Sequence, residues 1–229
     1  FRCARKTKLV KPETELKLLG FGTMNGKDGK PFKTREGGVM RLEYLLEEVY
    51  EEMLGKISEN KEMSVEEAKK TAEIVALSAV KYGDLSNQAS KDYIFDIQRF
   101  TSSEGNTGVY LLYTMVRIKS ILNKYREQGG KTEKTQIAVT GNESAKELMK
   151  AVAGFGAMIE NAYLETAPHK VCAYMYDLAN ALNHFYHETK ILTQENEAEK
   201  SAYIALLALT LRVMEECIGL LGFSAPERM

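Results

Sequence analysis

Val109-Tyr110-Leu111-Leu112-Tyr113-Thr114-Met115-Val116-Arg117-Ile118-Lys119-Ser120-Ile121-Leu122 carries Leu111, Leu112, Met115, Ile118 and Leu122 at the spacing of one apolar helix face. The pattern runs on to about Gln128. Three later stretches repeat it: about Ser144 to Glu165, about Pro168 to Lys190, and about Glu197 to Leu221. Pro168 occupies a first-turn position, where its missing N–H costs nothing, and Gly222 closes the last stretch. Upstream, Leu42, Leu45, Leu46, Val49, Met53 and Leu54 predict a helix from Met40 with five glutamates on the opposite side. Ser64 followed by Glu67 is a capping box, opening a helix through Ile74, Ala76, Leu77 and Val80 towards Gly83. No heptad array, internal repeat or low-complexity tract interrupts this series, so the expected body is mainly α, a helical bundle.

The first forty residues read differently. Gly20, Gly22, Gly26, Gly29, Gly37 and Gly38 crowd together there, which predicts loop and short strand. Asn25-Gly26 and Asp28-Gly29 are strong turn dipeptides, giving a hairpin-like excursion that Pro31 confines to an edge. Asp92 to Phe100 has no clear period. Thr101 to Gly108, rich in Ser, Gly and Asn, is the best linker candidate.

Composition bounds the function classes. The chain has 229 residues, 44% hydrophobic and 28% charged, enough to bury a core, which excludes disorder as the main state. The longest uninterrupted apolar run, Ala202 to Leu209, falls well short of the ~20 residues a membrane helix needs. No basic-then-apolar signal segment opens the chain, so a soluble, cytoplasmic protein is expected, with no membrane partner. Cys3, Cys172 and Cys217 are odd in number and lack C-x-x-C spacing, which fits core thiols in a reducing compartment. A first residue of Phe rather than Met suggests a piece of a longer chain. The net charge of -1 hides an asymmetry: residues 1–40 hold ten Lys/Arg against four Asp/Glu, leaving an acidic body. An anionic ligand is therefore expected at the front, and any nucleic-acid contact further on must come from a local stripe.

Two constellations carry chemistry. Lys30-Pro31-Phe32-Lys33-Thr34 has the form K-x-x-K-S/T on a glycine-flanked loop, where two ammonium groups and a hydroxyl can close on a polyphosphate. A solvated lysine turn produces the same spacing. Tyr110, Tyr113 and Arg117 share one face of the Val109–Gln128 helix, where aromatic rings and a guanidinium can stack unpaired bases and hold a phosphate. Half-buried core tyrosines show the same periodicity. Lys119, Lys124 and Arg126 continue the helix as candidate phosphate partners. On the Pro168–Lys190 helix, Val171, Met175, Leu178, Leu182 and Phe185 form the apolar stripe, while Tyr176, Asn180, Asn183, Tyr186 and His187 fall largely elsewhere. His184 and His187 are spaced H-x-x-H with no third ligand in view, so no metal is assigned.

The segment from Gly20 to Gly38 resembles the signature loop of arginyl-tRNA synthetases, a degenerate KMSKS loop of the class I enzymes. Lys30 is similar to the first lysine, Pro31 and Phe32 replace Met and Ser, Lys33 is similar to the second lysine, and Thr34 takes the place of the last serine. The resemblance continues through Lys81–Asn87, Asp92–Asp96, Phe100-Thr101 and Glu104–Gly108, then Ala167–Val171 and Tyr176–Asn183, to the closing Pro226-Glu227-Arg228-Met229. That last part is similar to the helical anticodon-binding domain often called DALR. Leu211-Arg212 is the remnant of its Asp-Ala-Leu-Arg hallmark, preceded here by Leu209-Thr210, with the arginine expected to be a structural or interhelical partner rather than a catalyst.

The resemblance implies three parts: residues 1–38 as the end of a Rossmann-type catalytic domain with the lysine loop, 39–104 as connecting helices in contact with the tRNA stem, and 105–229 as the DALR-type bundle. It implies Lys30, Lys33 and Thr34 at the reacting phosphates, and Tyr110, Tyr113, Arg117, Tyr186 and Met229 at the anticodon. The partners implied are tRNA(Arg), arginine and Mg-bound ATP in the parent protein, which forms arginyl-adenylate; DNA is not among them. Neither an H-x-G-H motif nor a βαβ array occurs here, so the chain alone is expected to be inactive and to hold no tightly bound cofactor. A stand-alone RNA-binding module and a helical protein-interaction module remain as alternatives.

Overall fold

The computed structural model describes residues 1–31, 41–60, 62–138 and 140–229. Lys33 and Thr34 lie outside them. A short helix, α1 (Arg2–Lys6), opens the chain where loop and strand alone were expected, and Cys3 on it is exposed rather than a core thiol. An extended segment then leads to the two-residue strand β1 (Met24–Asn25).

The hairpin-like excursion forms. The Gly26 N–H donates to the Lys30 carbonyl, the Gly29 N–H donates to the Gly26 carbonyl, and Asn25 and Pro31 make an antiparallel bridge. Gly29 takes a positive φ of 73° that favours glycine. On its other edge β1 pairs in parallel with β2 (Tyr93–Ile94), Met24 opposite Tyr93 and Asn25 opposite Ile94. Gly22 is fixed by close approach, because a Cβ there would lie 2.3 Å from the carbonyl of Lys91.

Helix α2 (Leu42–Ile57) buries Leu45, Val49, Met53 and Ile57 and leaves its glutamates and Leu42 in solvent. It packs against α3 (Val65–Leu85), which opens on the Ser64–Glu67 capping box, worth about 1 kcal/mol. Of the residues read along α3, Ala76 is buried, Ile74 and Val80 are partly buried and Leu77 is exposed; the rest of the buried face is the small-residue line Ala68, Ala72, Val75, Ala79 with Tyr82. Small side chains let neighbouring helices come close: a Cβ on Gly108 would sit 2.7 Å from the Ser78 carbonyl.

The short α4 (Ile97–Phe100) is capped by Asp96, whose carboxylate accepts from the N–H groups of Gln98 and Arg99 and also pairs with Lys27 at 3.2 Å. The linker candidate after it is a packed turn. Thr101 and Thr107 are buried, and the Tyr82 hydroxyl, itself fully buried, faces Asn106 Oδ1 at 2.6 Å and the Cys172 carbonyl at 2.8 Å. One side chain thus ties α3, the turn and the helix that carries Cys172.

Helix α5 (Gly108–Glu127) buries the apolar face read from its sequence. The next stretch was expected to be one helix and is two, α6 (Glu143–Ala153) and α7 (Phe155–Glu165), broken at Gly154. Glycine is a poor helix interior residue, and its N–H here turns back to the carbonyls of Lys150 and Ala151. Helix α7 buries no residue; Tyr163 and Leu164 are exposed. Helix α8 (Pro168–Glu188) lays Val171, Met175, Leu178, Leu182 and Phe185 into the core, as read, and α9 (Glu197–Leu220) passes through the centre. After α9, Gly222 has φ 78° and the Phe223 N–H donates to the Ile218 carbonyl, a glycine-terminated helix end. Cys172 and Cys217 are core thiols, and burial pushes both up to about 12. Among the described residues no helix is long and apolar enough to cross a membrane.

Candidate nucleic-acid interface

Helix α5 is started by Thr107, whose hydroxyl accepts from the Tyr110 N–H at 3.1 Å. This cap fixes the register of the face that follows. Tyr110 is half-buried, Tyr113 is 39% exposed and Arg117 is half-buried one turn on. The parallel-lying face of α8 presents Tyr176, Asn180, Asn183 and Tyr186, because the apolar stripe of α8 points into the core.

The two helices meet through polar groups. The Tyr110 hydroxyl donates to Asn180 Oδ1 at 2.9 Å and accepts from Asn183 Nδ2 at 2.7 Å. Arg117 Nη1 donates to Asn183 Oδ1. The Arg117 guanidinium lies over the Tyr186 ring, 5.1 Å from its centroid, and Tyr110 meets Tyr176 edge to face at 5.8 Å. Tyr110, Arg117 and Tyr186 are thus brought into one assembly, with Tyr186 itself 38% exposed. Such a surface offers ring faces and a cation in one place, the chemistry that holds unpaired bases and their phosphates.

The expected basic extension of this face is partly used up. Lys119 Nζ donates to the Pro226 carbonyl at 3.2 Å and pairs with Glu227 at 2.7 Å, so it anchors the last residues instead of facing a ligand. Arg126 donates to Asn123 Oδ1 on its own helix at 2.7 Å. The tail is held further by Arg228, whose Nη2 lies 3.1 Å from Glu67 Oε1, and by Lys81, which donates to the Gly222 carbonyl. The Ser64 backbone N–H, the Ser64 hydroxyl and Arg228 together hold the Glu67 carboxyl below its ordinary value. Met229 ends half-buried against the core.

Three further sequence readings have a place. Lys30 is exposed at the end of the hairpin, its N–H donating to Asp28 Oδ1 at 3.1 Å. Arg212 is exposed on α9. His184 lies 3.7 Å from Glu147, and no group of three His, Cys, Asp or Glu side chains among the described residues is placed to hold a metal. The sequence reading singled out Tyr186 but set Asn180 and Asn183 aside; only the crossing of α5 and α8 shows what they bind.

Residues 111–229 match the DALR anticodon binding domain, and residues 1–97 match the catalytic domain of class I tRNA synthetases (R). The chain belongs to the arginyl-tRNA synthetase family. Arginine–tRNA ligase of Agathobacter rectalis is 63% identical over all of this chain, and that of Alkaliphilus oremlandii is 48% identical, again over all of it. The chain spans about two fifths of the length of these curated relatives, 40% and 39%. Among solved structures, the arginyl-tRNA synthetase of Thermus thermophilus superposes with a TM-score of 0.80 at 25% identity, covering 92% of this chain and 35% of that one. The Plasmodium falciparum arginyl-tRNA synthetase gives 0.76 over the same shares. Tyr113, Arg117, Asn180, Asn183 and Tyr186 of the α5–α8 face therefore lie in the part that matches the DALR anticodon binding domain, Tyr110 lies one residue before it, and the hairpin that ends at Lys30 lies in the part that matches the catalytic domain.

Proposed function

We propose that this chain is the tRNA-reading part of an arginine–tRNA ligase acting in the cytoplasm, and that the α5–α8 face receives the anticodon of tRNA(Arg). The observation that carries the reading is the joint placement of Tyr110, Arg117 and Tyr186 through Asn183, with Arg117, Asn183 and Tyr186 inside the segment similar to DALR domains and Tyr110 one residue before it. Tyr113 supplies an open ring for base stacking, Arg117 a cation for phosphate, and Met229 a thioether at the edge of the same bundle. Residues 1–38 serve as the end of the catalytic domain, 39–104 as connecting helices and 105–229 as the anticodon-binding bundle.

In the same reading the parent protein uses Mg-bound ATP and arginine as substrates and passes arginine to tRNA(Arg). Lys30 fits a polyphosphate contact, being exposed at the tip of a turn whose backbone is closed by its own hydrogen bonds. Lys33 and Thr34 would complete that contact. Charge accumulates on the departing pyrophosphate, and a positioned ammonium stabilises it without rearrangement.

The test is binding of tRNA(Arg) and of the same transcript with its anticodon replaced, by the full-length protein carrying this chain. At least a tenfold preference for the natural anticodon is expected, lost in the Tyr113→Ala, Arg117→Gln double variant. Equal affinity for both transcripts in the unaltered protein would overturn the anticodon reading.

A further inference from the structure

Asn183 hydrogen-bonds to both Tyr110 and Arg117, and hydrogen-bond polarity dictates how. A guanidinium is donor only, so the atom of Asn183 facing Arg117 must be Oδ1. Its Nδ2 then faces Tyr110 and donates to the hydroxyl, which must send its own proton elsewhere. Asn180 Oδ1, 2.9 Å away, takes it. The chain Arg117 to Asn183 to Tyr110 to Asn180 therefore has a single consistent direction. It also fixes the Tyr110 hydroxyl between two asparagines, and with Tyr110 half-buried, Tyr113 is the more open of the two rings.

We propose that Asn183 is the positioning residue of this RNA face, holding the Arg117 guanidinium over Tyr186 so that its remaining N–H groups present to phosphate. The proposal rests on the anticodon reading above. A free arginine side chain samples many rotamers; one fixed at Nη1 by an amide and along its plane by an aromatic ring meets its ligand already ordered. Asn183 itself is half-buried between the helices and needs no contact with RNA to act.

The experiment is a double-mutant cycle on tRNA(Arg) binding by the full-length protein, with Asn183→Ala, Arg117→Gln and the pair, each measured across salt concentrations. Asn183→Ala should weaken binding by about tenfold and lower the log–log salt slope by roughly 0.7, the share of one phosphate contact on a single strand. In the Arg117→Gln background the same change should cost less than about twofold. The isosteric Asn183→Asp, which keeps the fold and pairs the guanidinium with a carboxylate, should lower the slope equally. A merely structural Asn183 would shift the melting temperature and leave the slope alone. If Arg117→Gln weakens binding while Asn183→Ala costs the same factor in both backgrounds, or Asn183→Asp keeps the full slope, the positioning role is overturned and the anticodon reading stands. If Arg117→Gln itself binds as the unaltered protein does, the anticodon reading fails and takes this one with it.

Discussion

Lys119 Nζ lies 2.7 Å from Glu227 Oε1, with the lysine side chain 11% exposed and the glutamate 83% exposed. The lysine is thus set into the bundle and the tail comes to it. Its second bond, to the Pro226 carbonyl, fixes the backbone three residues before the end. A partly exposed pair of this kind contributes about 1 kcal/mol or less. Lys119→Met should therefore lower the melting temperature only slightly, yet speed hydrogen exchange at residues 224–229. Its salt slope for tRNA binding should match that of the unaltered protein. A slope reduced by a full phosphate contact would return Lys119 to the RNA face.

The two tyrosines of α5 should separate. Tyr113 is exposed, so Tyr113→Ala should leave the melting temperature within a few degrees and weaken tRNA(Arg) binding by one to two orders of magnitude, as loss of a base stack of about 1–3 kcal/mol requires. Tyr110 is half-buried, bonded to two asparagines and packed on Tyr176. Tyr110→Ala should lower stability as well as affinity, by about 1–3 kcal/mol for the unsatisfied partners left behind. Thermal melts and filter binding on both variants check this. Equal stability losses would mean that Tyr113 is core.

How much of this was legible in the sequence depended on whether the signal was periodic. The apolar faces of α5 and α8 follow from spacing alone, and the capping box at Ser64 formed as read. The face of α3 did not, because alanine, serine and glycine carry little hydropathy, and their burial comes from how closely neighbouring helices approach. The break at Gly154 was hidden inside a continuous apolar pattern. At the site, ring and guanidinium residues stood out by type. Asn183 did not, since an amide on a helix reads equally as solvated or as bonded until the second helix is in place.

The lysine loop gives a kinetic prediction. In the full-length protein, Lys33→Ala should reduce the single-turnover rate of adenylate formation by about 2–4 kcal/mol of transition-state stabilisation and change arginine binding little. Lys30→Ala, at the turn already closed by the Gly26 and Lys30 backbone, should act in the same direction without loosening the hairpin, because its side chain takes no part in those bonds. An unaltered activation rate for both variants would make them ordinary surface lysines.

The Arg228–Glu67 pair gives the tail a pH dependence whose sign is fixed. Glu67 also closes the cap of α3, accepting from the Ser64 N–H at 2.9 Å and facing its hydroxyl at 3.0 Å. These contacts favour the carboxylate, so its value in the folded chain lies below the ordinary 4.5. A depressed carboxyl binds its proton more readily once unfolded; its stabilisation is complete above the ordinary value and is lost as pH falls through the folded one. Melting temperatures of the unaltered chain and Glu67→Gln should therefore differ at pH 7 and converge as pH falls below about 4.5 and through the depressed folded value, once the Glu67 carboxyl is protonated. Asp96 and Glu143, also held below their ordinary values, titrate in both proteins and cancel in the difference. Proteolytic trimming of residues 224–229 should rise over the same window in the unaltered chain, because Arg228 loses its partner as the cap loosens. A constant offset between the two melting curves down to pH 3 would mean that Glu67 stabilises by shape rather than charge, and that the hold on the tail does not depend on the Glu67 carboxylate.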